Sequence, residues 1–182
     1  MTEKELVQLA RQGDEAAWYS LVSQHQEPVY RLAYLLLGDP DDAQDVAQDA
    51  FIRATHALDR FDAQRPLRPW LLRIASNLAH NRRRSIGRYL AALRRFSQEN
   101  PGAFYVDDDS FRTEESAALW QALQRVKLHF REVIYLRYFL EMSEAETAEV
   151  LGVARGTVKS RLHRALNQLR EIIEQEYAFL KE

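Results

Sequence analysis

The sequence predicts an all-α protein of two helical domains joined by a flexible linker. Three observations predict it. Apolar residues recur at three- and four-residue intervals over most of the chain, and no alternating strand pattern is present. The six glycines and five prolines fall mainly between these periodic stretches. One polar stretch, SQENPGAFYVDDDSF, breaks the period and holds Pro101 and Gly102, which marks it as linker.

Taken in order, a first helix is expected from about Thr2 to Arg11, ended by Gly13-Asp14. A second starts near Glu15 with Trp18, Leu21 and Val22 at core spacing, and a third follows Pro28 with Val29, Leu32, Ala33 and Leu36 on one face. Gly38-Asp39-Pro40 reads as a turn. The next helix, Asp41 to about Leu58, opens with acids that suit its N-terminal dipole. After a loop from Phe61 to Pro69, a helix runs from Trp70 to about Ile86, with a short extension hinted at by Leu90, Leu93 and Phe96. A second helical unit is expected from about Thr113 to Leu169, and its last helix should continue into the tail.

Composition narrows the function classes. With 46% hydrophobic residues among 182, the chain can bury a core. The absence of cysteine excludes a disulfide framework and a thiolate metal site, and fits a reducing cytosol. No apolar run is long enough for a membrane span, and the N-terminus does not resemble a signal peptide, so membrane insertion is not expected and the cytoplasm is. The net charge of −2 hides a strong segregation. Arg82, Arg83, Arg84, Arg88, Arg94 and Arg95 lie in one acid-free segment, whereas acids gather at Asp39–Asp49 and Asp107–Glu115. Such a chain can offer one surface to phosphate and another to a basic protein.

The segment Ser143–Arg170 carries the sharpest local signal. Ser143 and Glu146 are spaced as a capping box, and Gly152 suits the left-handed end of the helix it starts. A second helix from about Arg155 places Val158, Leu162, Ala165, Leu166 and Leu169 on one face. Arg155, Thr157, Lys159, Ser160, Arg161, His163 and Arg164 occupy the opposite face and its flanks, and no acid interrupts Arg155–Arg170. A helix that is apolar behind and basic or hydroxylated in front fits the major groove, where base edges show a full donor and acceptor code. A solvated amphipathic helix is the bland alternative.

Three motifs, in this order and spacing, extend that reading: DDAQDVAQDAFIRA at 41–54, PWLLRIASNLAHNRRR at 69–84 and REVIYLRYFLEMSEAETAEVLGVARGTVKSRLHRA at 131–165. On them the chain resembles the extracytoplasmic-function sigma factors of bacteria, which direct RNA polymerase to promoters. The resemblance covers about residues 14–86 and 119–173. It implies a sigma domain 2 helical bundle over 1–86, a linker over 87–115, a sigma domain 4 helix-turn-helix over 116–173 and a tail over 174–182. The first motif implies docking on the bacterial core polymerase through Asp42, Asp45, Gln48, Asp49 and Arg53, and its acids lie on one face beside apolar Val46, Ala50 and Ala54. The second implies capture of the opened −10 strand by Phe61, Trp70, Asn77, Asn81, Arg82, Arg83 and Arg84, with a flipped base held in the loop before the helix. Phe61 and Trp70 fit stacking on a base or packing in a core by type, and for Trp70 the core is the favoured reading. The arginines suit phosphates. The third motif implies that Arg155, Thr157, Lys159, Ser160, Arg161, His163 and Arg164 read the −35 duplex, with Ser160 and Arg164 facing furthest from the core.

Two departures from the family pattern stand out. The loop DAQRPLRP lacks the usual glycine and small polar residues, so Arg65, Pro66, Leu67 and Arg68 leave the preferred −10 base unassigned. Thr147 stands where relatives carry an aliphatic residue, which loosens the packing expected of that helix. No acidic pre-domain and no domain 3 are expected, and relatives are held inactive by an anti-sigma protein, an expectation carried over here. No metal or cofactor is expected. The five histidines are scattered, no phosphate-cradling glycine loop occurs, and Asp107-Asp108-Asp109 lies in the linker, which argues against an enzyme. A free-standing helix-turn-helix regulator is the other reading, and a response regulator of that kind would need a strand-borne phosphoacceptor that an all-helical first domain lacks.

Overall fold

A computed structural model describes residues 1–94 and 114–176, with side chains through 88 and from 115. The expected linker core, including Phe96 and Asp107-Asp108-Asp109, and the tail from 177 onward lie outside the described residues. The regular structure of the described residues is all helical, with no strand among them, and the chain divides into two compact units, residues 1–105 and 106–182.

The first unit holds α1 (Glu3–Arg11), α2 (Glu15–Leu37), α3 (Pro40–Ala57) and α4 (Leu67–Arg94). Local chemistry sets most of its ends. Thr2 and Glu5 close a capping box on α1. The Asp14 and Asp39 carboxylates accept from the amides of Ala17 and Asp42 to start α2 and α3. Gly38, at φ 76°, ends α2 in the left-handed conformation that costs glycine no Cβ clash. Leu21, Leu32, Leu71 and Leu72, together with Ala43, Ala50 and Ala75, are all but sealed from solvent where α2, α3 and α4 meet. Leu6 and Val7 bury α1 in the same unit.

Two expected boundaries move. Pro28 does not separate two helices but sits inside the single helix α2. It removes one backbone donor, yet Leu21, His25, Val29 and Leu32 on either side of it are buried as one continuous stripe. That burial outweighs the local cost of about 3 kcal/mol. Similarly, α4 starts at Leu67, with Pro69 in its first turn, and passes the expected end at Ile86 to reach Arg94.

The second unit holds α5 (Glu114–Arg125), α6 (Leu128–Ile134), α7 (Glu144–Leu151) and α8 (Arg155–Glu176). After α6 the backbone widens into one π turn, Tyr135–Phe139. Arg131 is buried there. It donates to the Gln124 backbone and side-chain oxygens, both at 2.6 Å, and lies 5.9 Å from the Tyr135 ring centroid. Arg125 and Glu176 form an ion pair between α5 and the end of α8.

Candidate nucleic-acid and protein interfaces

Helices α7 and α8 form the expected helix-turn-helix. Ser143 Oγ accepts from the Glu146 amide at 3.2 Å, while Glu146 Oε2 accepts from the Ser143 amide at 2.8 Å. Gly152, at φ 64°, ends α7 and turns the chain toward α8. Val133, Ala148 and Val158 form the core between α6, α7 and α8, and Leu151, Val153 and Leu162 pack around it. Pinning the back of α8 in this way forces its other side outward. Arg155, Lys159, Ser160, His163 and Arg164 are exposed, whereas Thr157 and Arg161 are half-buried. Lys159 Nζ lies 3.6 Å from Glu144 Oε2, and Ser160 Oγ donates to the Thr157 carbonyl at 3.1 Å. Asn167 Nδ2 donates to His163 Nε2 at 3.1 Å.

Thr147, in the middle of α7, is 0% exposed and its hydroxyl has no hydrogen-bond partner. The packing around it is closed, so its departure from an aliphatic residue shows up as an unsatisfied polar atom rather than as an opening. This unit also carries an apolar hollow of about 320 Å³, bordered by Leu119, Trp120, Tyr138 and Leu166. Leu119 and Tyr138 are exposed there, and sequence periodicity did not single them out.

In the first unit, α4 presents a narrow polar line. At about 100° per residue, Trp70, Asn77, Asn81 and Arg84 share one face with Arg73 and Arg88. All but the half-buried Trp70 are exposed. Arg84 Nη2 donates to Asn81 Oδ1 at 2.5 Å. The other two arginines of the expected basic run turn elsewhere. Arg82 Nε donates to Asp42 Oδ1 at 2.9 Å, and Arg82 Nη2 lies 3.8 Å from Asp45 Oδ2. These acids hold the Arg82 pKa above its ordinary value, chiefly through the hydrogen bond from Asp42. Arg83 Nη1 donates to the Leu36 carbonyl at 3.0 Å and so closes the last turn of α2. Of the three, only Arg84 stays on the line of Trp70 and Asn77.

Phe61 adopts the core alternative. It is 7% exposed, and its ring centroid lies 4.8 Å from that of Trp70 at a tilt of 38°. Its ring is therefore packed within the protein, the core alternative of the two that its residue type allowed. Trp70 is only half-buried.

On α3, Asp45, Gln48, Asp49 and Arg53 are exposed and Asp42 is half-buried. The apolar residues expected beside them, Val46, Ala50 and Ala54, are 4%, 0% and 0% exposed and face the unit's own core. The apolar residue that does accompany the acids is Ile52, 56% exposed and one turn on from Gln48 and Asp49. Helical phase alone could have located it. Beside this face, α2 and α3 leave a groove of about 380 Å³ bordered by Gln26, Tyr30, Gln44, Gln48 and Phe51.

Comparison with known proteins agrees with this geometry. The family model Sigma-70 region 2 matches residues 21–89, and Sigma-70, region 4 matches residues 116–169. The chain is 34% identical to the ECF RNA polymerase sigma factor SigW of Bacillus subtilis, over 94% of this chain and 96% of that protein. It is 33% identical to the RNA polymerase sigma factor NccH of Alcaligenes xylosoxydans xylosoxydans, over 94% and 95%. Among solved structures it resembles CnrH in complex with the cytosolic domain of CnrY, with a TM-score of 0.71 and 29% identity over 96% of this chain and 98% of that one. It also resembles the sigma factor RpoE of Bartonella quintana, solved with the anti-sigma factor NepR, with a TM-score of 0.67 and 25% identity over 87% and 97%. Two helical units that match sigma regions 2 and 4, in that order and along nearly the whole length of curated relatives, place this chain in the extracytoplasmic-function family of RNA polymerase sigma factors.

Proposed function

We propose a division of labour within this sigma factor. The first unit docks on core polymerase through the exposed Asp45, Gln48, Asp49 and Arg53 of α3, with Ile52 supplying the apolar centre that the acids frame. The line Trp70, Asn77, Asn81 and Arg84 on α4 holds the opened −10 strand, and the loop before it takes a flipped base. The second unit lays α8 in the −35 major groove. Arg164 and Ser160 are the base-edge candidates, and Arg155, Lys159, Arg161, Thr157 and His163 serve phosphates or groove edges. Arg82 and Arg83 are chiefly internal braces, and Asp42 contributes to docking only by giving up its bond to Arg82.

One observation carries this reading. The exposed face of α8 is free of acids through Arg170, while its opposite face is pinned by Val158 and Ala165, each 0% exposed. The protein does no bond chemistry of its own, since polymerase supplies the active site, and it works in the cytoplasm. No described helix is long and apolar enough to cross a membrane. An anti-sigma factor controls it, a reading supported by the similar RpoE structure, which was solved with the anti-sigma factor NepR.

The test is run-off transcription with sigma-free bacterial core polymerase and a fragment library from the source genome. Discrete transcripts that depend on this protein support the reading, and their aligned start sites give both promoter elements. A protein that shifts specific duplex alone, and yields no transcripts, is instead a free-standing regulator.

A further inference from the structure

Three side chains of α1 are spent on the loop that leads into α4. Glu3 Oε1 accepts from the Leu67 amide, the first of α4, at 2.9 Å. Its other oxygen, Oε2, is held at 3.0 Å by His25 Nε2 of α2. The first turn of α4 has no acid of its own. Glu3 thus supplies from another helix both the missing acceptor and the negative charge that a helix N-terminus favours. At the other end of the loop, Arg11 Nε donates to the Leu58 carbonyl at 3.0 Å, and Arg11 also donates to the Phe61 carbonyl. Between these anchors, Lys4 Nζ donates to Gln64 Oε1 at 3.2 Å. The loop closes on itself through Asp62, which accepts from the amides of Gln64 and Arg65, both at 3.0 Å.

The loop is therefore held from behind by α1, while Asp62, Gln64, Arg65 and Pro66 are exposed in front. An edge that discriminates bases by hydrogen bonds must be fixed before the base arrives, because a loop that relaxes by an ångström accepts several bases. None of the anchoring residues of α1 falls within residues 21–89, the segment matched to sigma region 2.

We propose that Glu3 and Arg11 are positioning residues for −10 base selection: α1 is a brace that sets the shape of the 58–67 loop without touching DNA. This rests on the reading that the loop receives a −10 base, and it adds a part of the chain to that function.

The test uses the full chain with core polymerase and two promoter libraries, one with six randomised −10 positions and one with six randomised −35 positions. Transcripts are sequenced for Glu3→Ala, Arg11→Ala, Glu3→Gln, Arg11→Lys and Lys4→Ala. In the two alanine variants the ratio of preferred to next-best base is expected to fall about fivefold at one or more −10 positions, the low end of what one edge contact is worth. The −35 ratios and capture by polymerase should stay unchanged. Glu3→Gln keeps an acceptor for Leu67, and Arg11→Lys keeps one donor, so each should recover much of the selectivity. Lys4 is on the surface, so Lys4→Ala leaves the bundle intact and should give a smaller loss confined to the −10 library. The inference is overturned if the −10 ratios of all variants match the wild type. It is equally overturned if −10 and −35 ratios fall together, since that is general destabilisation. A wild-type protein that yields no transcripts refutes the underlying reading, and the inference with it, whereas selective wild-type transcription with indifferent variants refutes the inference alone.

Discussion

Replacing Thr147 with Val removes the one polar atom of α7 that is sealed from solvent without a partner. In the unfolded chain that hydroxyl is hydrated, and folding strips the water and returns nothing. The penalty for such a group is about 1–3 kcal/mol. Valine has nearly the shape of threonine, so the exchange creates neither a cavity nor a clash. The expected gain is about 1–2 kcal/mol, or a five- to thirtyfold change in the opening equilibrium. Amide hydrogen exchange on the intact chain reads this locally: protection in α7 and at Val158 should rise by that factor, with α2–α4 unchanged. Thr147→Ser keeps the hydroxyl, removes the methyl and should move protection the other way. Binding to a −35 duplex should not change, because Thr147 is 0% exposed behind α8. If valine leaves protection unchanged or lowers it, the hydroxyl is satisfied in solution. A threonine inside a helix can satisfy its hydroxyl by bonding back to the carbonyl one turn earlier.

Arg164→Ala should cost about 1–3 kcal/mol on the best promoter and flatten the preference at one −35 position, and an equal loss on every sequence would make Arg164 a phosphate contact. Asp45→Lys with Asp49→Lys should reduce capture by core polymerase, the more so at low salt. Unchanged capture in a pull-down would remove α3 from the docking surface. His25 is 7% exposed, and burial pushes its pKa below the ordinary 6.5, against the pull of Glu3 and with help from Arg68. The folded state thus disfavours the protonated ring. Stability from this source is complete above pH 6.5 and is lost as the pH falls below it through the folded value. His25→Gln should therefore flatten the acid limb of the first unit's stability curve, and a limb of unchanged steepness would assign the loss to other groups.

What the sequence made legible was what its local chemistry decides. The Ser143–Glu146 box, the Gly152 turn and the Gly38-Asp39-Pro40 turn each depend on residues within four positions, and each formed as expected. The exposed face of α8 followed from its period, because a single apolar stripe left its other side only one direction. Readings that depended on distant partners fared differently. Pro28 reads as a break until Leu21 and Val29 are seen to bury together. Phe61 reads equally as a stacking ring or a core ring until Trp70 is found against it. Glu3 and His25 are 22 positions apart, and Glu3 and Leu67 are 64 apart, so no pattern along the chain announces their junction.

The arginine run shows most clearly why charge counting overstates a nucleic-acid surface. Arg82, Arg83 and Arg84 are consecutive, and composition gives each the same claim on phosphate. A helix turns about 100° between neighbours, so three consecutive cations cannot share one surface. One is carried to α3, where Asp42 and Asp45 meet it, and one to the open carbonyl at the end of α2. Only the third joins Asn81. An exposed ion pair such as Arg82–Asp42 contributes at most about 1 kcal/mol, so it holds Arg82 without locking it. The salt dependence of −10 strand binding counts the phosphates neutralised. Removing Arg84 should lower that slope by about 0.7, the single-strand value for one phosphate contact. Removing Arg83 should leave the slope nearly unchanged and should instead loosen the end of α2. If Arg83→Ala lowers the slope as much as Arg84→Ala, the bond to the Leu36 carbonyl gives way on the promoter, and the run acts as one basic surface after all.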